Sequence, residues 1–325
     1  MNNIQGQQTS ERKLYRVLLL LIVSLAAFTS AMNELNQLQT FTGQVGNLLA
    51  SWSDVVVPTA SASAPVVRSC AVPDSALQEA SRSDEFRWNG TVAPGAAIEV
   101  QGINGSIVAE PSAGSEVQVV ALKSSRRSDV NSVKMKVVEH AGGVTICALY
   151  PNEDGDYPGS CGPVSDSKGS SNGRVKNNDV QVNFTVKVPQ RVTFVGKTIN
   201  GSITATSLNG NVVTQTINGS IKISTSGYAE AKTINGEIDA RLGDANWSNA
   251  LNFQTINGGI NIEMPSSLST AVDAETLNGS FTSDFQLAVT TLTTNKKHVK
   301  GVIGPGGRDL VLRTINGSIN LRIAS

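Results

Sequence analysis

One short phrase governs this chain: an aliphatic residue, Asn, Gly, a small or polar residue, then a second aliphatic. It occurs eight times, at Asn104-Gly105, Asn200-Gly201, Asn209-Gly210, Asn218-Gly219, Asn235-Gly236, Asn257-Gly258, Asn278-Gly279 and Asn316-Gly317. From Asn200 onward the intervals are 9, 9, 17, 22, 21 and 38 residues. Joining the two nines and halving the last leaves a unit of about 17 to 22 residues, a period that signals a solenoid. In such a fold each unit buries its apolar face only by stacking on its neighbours.

Glycine adopts positive φ without a side-chain clash and Asn tolerates left-handed backbone, so each pair is expected to turn the chain sharply at a corner. A hairpin would use the same dipeptide, but its two flanks would pair with each other and need no fixed period. Here the flanks themselves repeat. Three and five residues after each Asn stand Ile203/Ala205, Ile221/Ile223, Ile238/Ala240, Ile260/Ile262, Phe281/Ser283 and Ile319/Leu321, with Thr204, Lys222, Asp239, Asn261, Thr282 and Asn320 between them. That alternation predicts strands with one apolar face. Equivalent positions would stack at about 4.8 Å per rung, and the turn Asn side chains could bond in a ladder along one edge.

Composition agrees. Aromatic residues are 5% and hydrophobic residues 39%, enough for a narrow core of Ile, Val and Ala. Lys plus Arg (26) balance Asp plus Glu (26), so charge gives no support to nucleic acid as a partner.

The N-terminus reads as an export signal: Arg12, Lys13 and Arg16 precede the apolar run Val17 to Phe28, and the small residues Thr29, Ser30 and Ala31 follow. Residues 1–31 are therefore expected to be removed; an uncleaved membrane anchor over 14–32 is the alternative. Residues 32–83 carry a helical stripe of Leu35, Leu38, Phe41, Val45, Leu48 and Trp52, then a Pro/Ser/Ala-rich linker. Alternating strands fill 84–194, with a long polar loop at 151–178, and the repeats with a terminal cap occupy 195–325. The 38-residue gap before Asn316 contains Gly304-Pro305-Gly306-Gly307, a turn signature, and is read as a degenerate rung or capping hairpin.

Cys147 ends an apolar run and Cys161 lies in the polar loop, 14 residues on. In an oxidising compartment this separation suits a disulfide clasp, with Cα atoms expected within about 7 Å. Cys70 has no evident partner or role.

The set FRWNGTVAPGAAIEVQGINGSI, GGVTICALYP with its later Cys161, VQVNFTVKVP, SGYAEAKTINGEI and the serial TINGSI copies resembles the bacterial putative-adhesin β-strand repeat family, over residues 86–325. The resemblance implies an exported, right-handed β-solenoid without catalytic residues to carry over. The expectation is an all-β, non-enzymatic adhesin or binding scaffold of the cell envelope, in the periplasm or at the cell surface. A β-helix carbohydrate-active enzyme, and an envelope-stress or assembly partner acting through the N-terminal helix, are the alternatives. No cofactor is expected. Partners would be an envelope protein or glycan, with membrane contact only through an uncleaved N-terminus.

Individual residues add little chemistry. His140 and His298 are the two histidines, far apart in sequence. Asn152, Asp154 and Asp156 imitate the start of a calcium loop, but Gly155 is misplaced and Pro163 stands where the closing Glu belongs. Sequons at Asn89, Asn104, Asn200, Asn218, Asn278 and Asn316 follow from the Asn-Gly requirement itself. Glu237, Asp239, Glu263, Asp273 and Glu275 could serve a glycosidase only as a spaced pair in a cleft.

The aliphatic before each Asn (Ile199, Leu208, Ile217, Ile234, Ile256, Leu277, Ile315) poses a last question. Strict alternation turns the preceding Thr inward and this column outward. A break at the corner would bury it instead, gaining about 1.5 to 3 kcal/mol per side chain, and inward is the expectation.

Overall fold

Strands with Ile, Val and Ala on alternate positions can satisfy both backbone and side chains by stacking in register, and this chain does so throughout its repeats. The computed structural model describes residues 82–157, 161–162, 178–243, 247, 250–292 and 297–324. The signal or anchor segment, the helical stripe, the linker, Cys70, Pro163 and Asn172 lie outside the described residues.

Two sheets, of ten and eleven strands, hold the described structure, and no α-helix occurs among the described residues. Each rung of the stack takes one strand from each sheet, with the Asn-Gly motif between them. In chain order the rungs are Ala97–Gln101 with Ile107–Pro111, Thr193–Lys197 with Ile203–Leu208, and Val212–Gln215 with Ile221–Thr225. Ala229–Lys232 with Ile238–Leu242, Leu251–Gln254 with Ile260–Met264, Thr270–Thr276 with Phe281–Ser283, and Asp309–Thr314 with Ile319–Ile323 follow. Neighbouring rungs pair parallel in both sheets.

Order in space departs from order in sequence. The Asn316 rung inserts between the Asn257 and Asn278 rungs: Ile319–Ile323 pairs with Ile260–Met264 on one side and Phe281–Ser283 on the other. Asp309–Thr314 likewise lies between Leu251–Gln254 and Thr270–Thr276. The 38-residue gap holds the antiparallel hairpin of Leu287–Leu292 and His298–Ile303, which adds to the second sheet beyond Thr270–Thr276. At the opposite end the Asn104 rung pairs directly with the Asn200 rung, so the stack begins well before residue 195. Strands before and between these rungs continue the two sheets beyond that end. Gln181–Val188, Glu116–Ser125 and Arg82–Thr91 extend the first sheet, while Gly143–Leu149 and Lys134–His140 extend the second.

The core is a set of columns. Ile107, Ile203, Ile221, Ile238, Ile260 and Ile319 line up in the first sheet, all fully buried. Facing them from the second sheet stand Val100, Gly196, Thr214, Ala231, Phe253, Leu312 and Ala274. Residue size varies along this second column, with Phe253 between Ala231 and Leu312.

Candidate functional site

The motif edge carries a continuous ladder of side-chain amides. Asn200 Nδ2 donates to Asn104 Oδ1 at 2.9 Å, Asn218 to Asn200 at 2.8 Å, and Asn235 to Asn218 at 2.8 Å. Asn257 then donates to Asn235 at 2.7 Å, Asn316 to Asn257 at 2.7 Å, and Asn278 to Asn316 at 2.8 Å. All these bonds run one way, toward Asn104. Asn209 is outside the ladder: its motif joins a first-sheet strand to a second-sheet strand, on the opposite side of the rung, and its Oδ1 accepts from Ser226 Oγ at 3.4 Å.

The expected reason for glycine is corrected here. Of the motif glycines only Gly105 has positive φ (128°), and none of the motif Asn residues does. What the position requires is room. A Cβ on Gly219 would lie 2.2 Å from the carbonyl oxygen of Gly201, and one on Gly258 would lie 2.0 Å from that of Gly236. Each turn sits so close on the one before it that only hydrogen fits between them.

The inward expectation for the aliphatic column is corrected as well. Thr198, Thr216, Thr233, Thr255, Thr314 and Thr276 are all buried, while of the aliphatic column only Leu208 and Ile234 are. Each hydroxyl donates to the motif Gly carbonyl of the adjacent rung, at 3.1 Å from Thr198 to Gly105 and 2.9 Å from Thr216 to Gly201. An inward Ile would leave those carbonyls without that donor. The aliphatics instead flank the core: Ile199, Ile217 and Ile256 are half-buried, while Ile234 is 7%, Ile315 42% and Leu277 57% exposed. None of these six belongs to the continuous core cluster. Leu208 stands apart, buried at the end of its strand. An aliphatic stripe thus runs beside the amide ladder and becomes more exposed toward the Asn278 rung.

The acidic residues fall into separate groups on the two sheets, each held by its own partners. Asn261 Nδ2 donates to both Glu237 Oε1 (2.6 Å) and Asp239 Oδ1 (2.7 Å) on the first sheet. Asn320 donates to Asn261 Oδ1 at 2.7 Å, continuing an outer row. Asp273 and Glu275 lie on the second sheet, where Arg313 bonds both, at 3.1 and 2.7 Å, and His298 and Lys300 also reach Asp273. Burial alone would raise the Asp273 pKa, yet these cationic and hydrogen-bonding neighbours hold it below the ordinary carboxylate value. Glu263 faces Arg241 at 3.9 Å.

His140 bonds Thr145 within its own hairpin. Asn152 Oδ1 accepts from the Asp156 amide at 2.8 Å, a local turn. No group of three or more His, Cys, Asp or Glu side chains suited to a metal occurs among the described residues. Cys147 and Cys161 are joined, with Cα atoms 5.8 Å apart. Their bridge holds Gly162 over the sheet, where its carbonyl accepts from Gln101 Nε2 at 3.2 Å beside the buried Glu99–Lys197 pair.

With stacked rungs and register in view, one known family is similar to the second half of the chain. The model described as Toastrack DUF4097 matches residues 169–322. This segment is similar to the Toastrack DUF4097 family. It contains every rung of the stack except that of Asn104. No curated protein matches the chain. Among solved structures, a putative cell adhesion protein from Clostridium sporogenes is 13% identical, covering 74% of this chain and 100% of its own, with a TM-score of 0.36. A putative adhesin from Bacteroides fragilis is 12% identical, covering 74% of this chain and 97% of its own, with a TM-score of 0.31.

The rung order of the Toastrack segment was not accessible from spacing, because a 38-residue interval fits insertion as well as succession. The Thr hydroxyl role had a signal in the sequence: Thr stands two before Asn in six of the eight motifs, at Thr198, Thr216, Thr233, Thr255, Thr276 and Thr314.

Proposed function

We propose that this protein is an exported, non-enzymatic binding scaffold of the bacterial envelope, built as a right-handed β-solenoid with the Asn-Gly pairs at its corners. The observation that carries the reading is the registered motif edge, where seven Asn amides lie in one ladder beside an aliphatic stripe. A rigid array of like groups offers an extended partner the same contact at every rung, about 4.8 Å apart. A contiguous apolar stripe of this kind marks a docking surface. Glu237 and Asp239 share the Asn261 amide and Asp273 and Glu275 share Arg313; carboxylates committed to such partners support scaffold over hydrolase, since hydrolysis of a glycosidic bond calls for two carboxyls available to flank it.

The test is expression of the full chain in a bacterium, followed by fractionation and binding to isolated envelope. The protein is expected in the envelope or periplasmic fraction. Ile315→Asp, at an exposed point of the stripe, is expected to weaken envelope retention at least five-fold with the melting temperature unchanged. A cytosolic location, or turnover of glycan polymers by the purified protein, overturns the proposal.

A further inference from the structure

The direction of the amide ladder gives its two ends different chemistry. Every Asn above Asn104 spends an N–H on the rung before it, and Asn104 receives one at its own Oδ1. Its Nδ2 has no acceptor among the described residues. A chain of aligned amides polarises cooperatively, so this terminal donor is strengthened. It opens into a groove of about 390 Å³ that also takes in Gln181, Asn183 and Asp179. Asn183 commits its Oδ1 to the amide and hydroxyl of Ser106, at 2.9 and 3.0 Å, which leaves its Nδ2 as a second donor.

Asp179 and Gln181 also line an adjoining hollow of about 540 Å³ bounded by Arg126 and Arg127. Both volumes lie in the range of small-molecule sites. The Asp179 carboxylate is already spent: it accepts from the backbone amides of Arg126, Arg127 and Ser128 at 3.1, 3.0 and 2.8 Å, and these bonds with Ser128 hold its pKa far below the ordinary value. The two guanidinium groups are exposed and form no ion pair among the described residues. Among the described residues, the groove is thus rich in unspent donors along one wall, and the hollow that continues it past Asp179 and Gln181 carries two Arg side chains without an ion pair.

We infer that this groove binds a saccharide bearing carboxylate groups, with Arg126 and Arg127 on the carboxylate and the Asn104, Asn183 and Gln181 amides on the hydroxyls. Arg pairs with carboxylate through two parallel hydrogen bonds, the Asn104 and Asn183 Nδ2 groups donate to hydroxyl oxygens, and the Gln181 amide can both donate and accept. The inference rests on the reading of the chain as a binding scaffold but uses a different surface from the aliphatic stripe.

The experiment is calorimetric titration of the full chain with a galacturonic acid trimer, with maltotriose as the neutral trimer and with inorganic phosphate. The uronic trimer is expected to bind at least ten-fold more tightly than either. The double variant Arg126→Ala/Arg127→Ala is expected to lose at least ten-fold of that affinity, while its melting is unchanged because Asp179 bonds the backbone and not the replaced side chains. Lys222→Ala, on the outer face of the first sheet, is expected to bind as the parent does. Equal binding of the neutral trimer, binding of phosphate as tight as the uronic trimer, or an unaffected double variant overturns the inference. If the trimer fails to bind while Ile315→Asp still releases the protein from envelope, the groove assignment falls and the scaffold reading stands.

Discussion

The hydroxyl of Thr255 donates to the carbonyl oxygen of Gly236 at 2.9 Å, across one step of the stack. Thr255 is 4% exposed, so water cannot readily take its place. Thr255→Val keeps the shape and removes the donor, and an unsatisfied buried carbonyl is expected to cost about 1 to 2 kcal/mol. Thr255→Ser should retain most of the stability. Urea unfolding of the two variants beside the parent checks this; a larger loss in Thr255→Ser than in Thr255→Val would mean that the methyl group matters and the hydroxyl does not.

Gly219→Ala is expected to be far more damaging than Asn218→Ala. The new Cβ would meet the Gly201 carbonyl oxygen at 2.2 Å and its carbon at 2.5 Å, both backbone atoms of a rung fixed on its other side. Overpacking of this kind costs about 3 kcal/mol or more where the obstacle cannot move. Gly114→Ala, with nothing within 4 Å of its added Cβ, is the control. Soluble yield and thermal melting of the three variants give the ranking, and a benign Gly219→Ala would refute the close-approach account.

Opening the Cys147–Cys161 bridge is expected to cost about 3 kcal/mol, from the closed loop of this length in the chain-entropy picture. Cys147→Ser/Cys161→Ser should therefore melt at lower temperature than the oxidised parent and unfold at the same temperature with and without reductant. In the parent, thiol titration after oxidative expression is expected to find these two cysteines unreactive until the chain is reduced. Two free thiols at these positions in native protein would contradict it.

Acid should weaken the second-sheet cap. The Asp273 carboxyl has a folded-state pKa below its ordinary 3.8, with burial opposed and outweighed by His298, Lys300 and Arg313. Its contribution is fully present above the ordinary carboxylate range and is lost as the pH falls through that range into the depressed one, from about pH 5 downward. Asp273→Asn is expected to lower stability at neutral pH and to flatten the acid limb. Melting temperatures of both proteins across that range decide it; parallel curves would remove Asp273 from the acid response.

Much of this architecture is written in local pattern. Ile221, Lys222 and Ile223 assign in, out and in from alternation alone, and the ladder of turn Asn residues follows once rungs stack in register. Three features do not follow from local pattern. The place of the Asn316 rung depends on which partner strand wins across 59 residues, a tertiary choice with no local signature. The need for glycine at 219 depends on the height of the neighbouring turn and not on φ. The donor groove depends on Asp179, whose role is set by amides more than 50 residues earlier.

The insertion of the Asn316 rung bears on how the molecule can be assembled. A chain that grew coil by coil in order of synthesis would lay Thr270–Thr276 and Phe281–Ser283 directly on the Asn257 rung. In the finished fold another rung fills that place. The Asn278 rung and its hairpin must therefore wait, or be displaced, until Asp309–Ile323 emerges and slides in as a wedge between them. Pairing over such sequence distances is slow, because a long loop must close before any contact rewards it. The molecule thus carries its own late checkpoint: a copy halted before residue 309 holds most of its rungs but lacks the piece that joins the last of them to the rest.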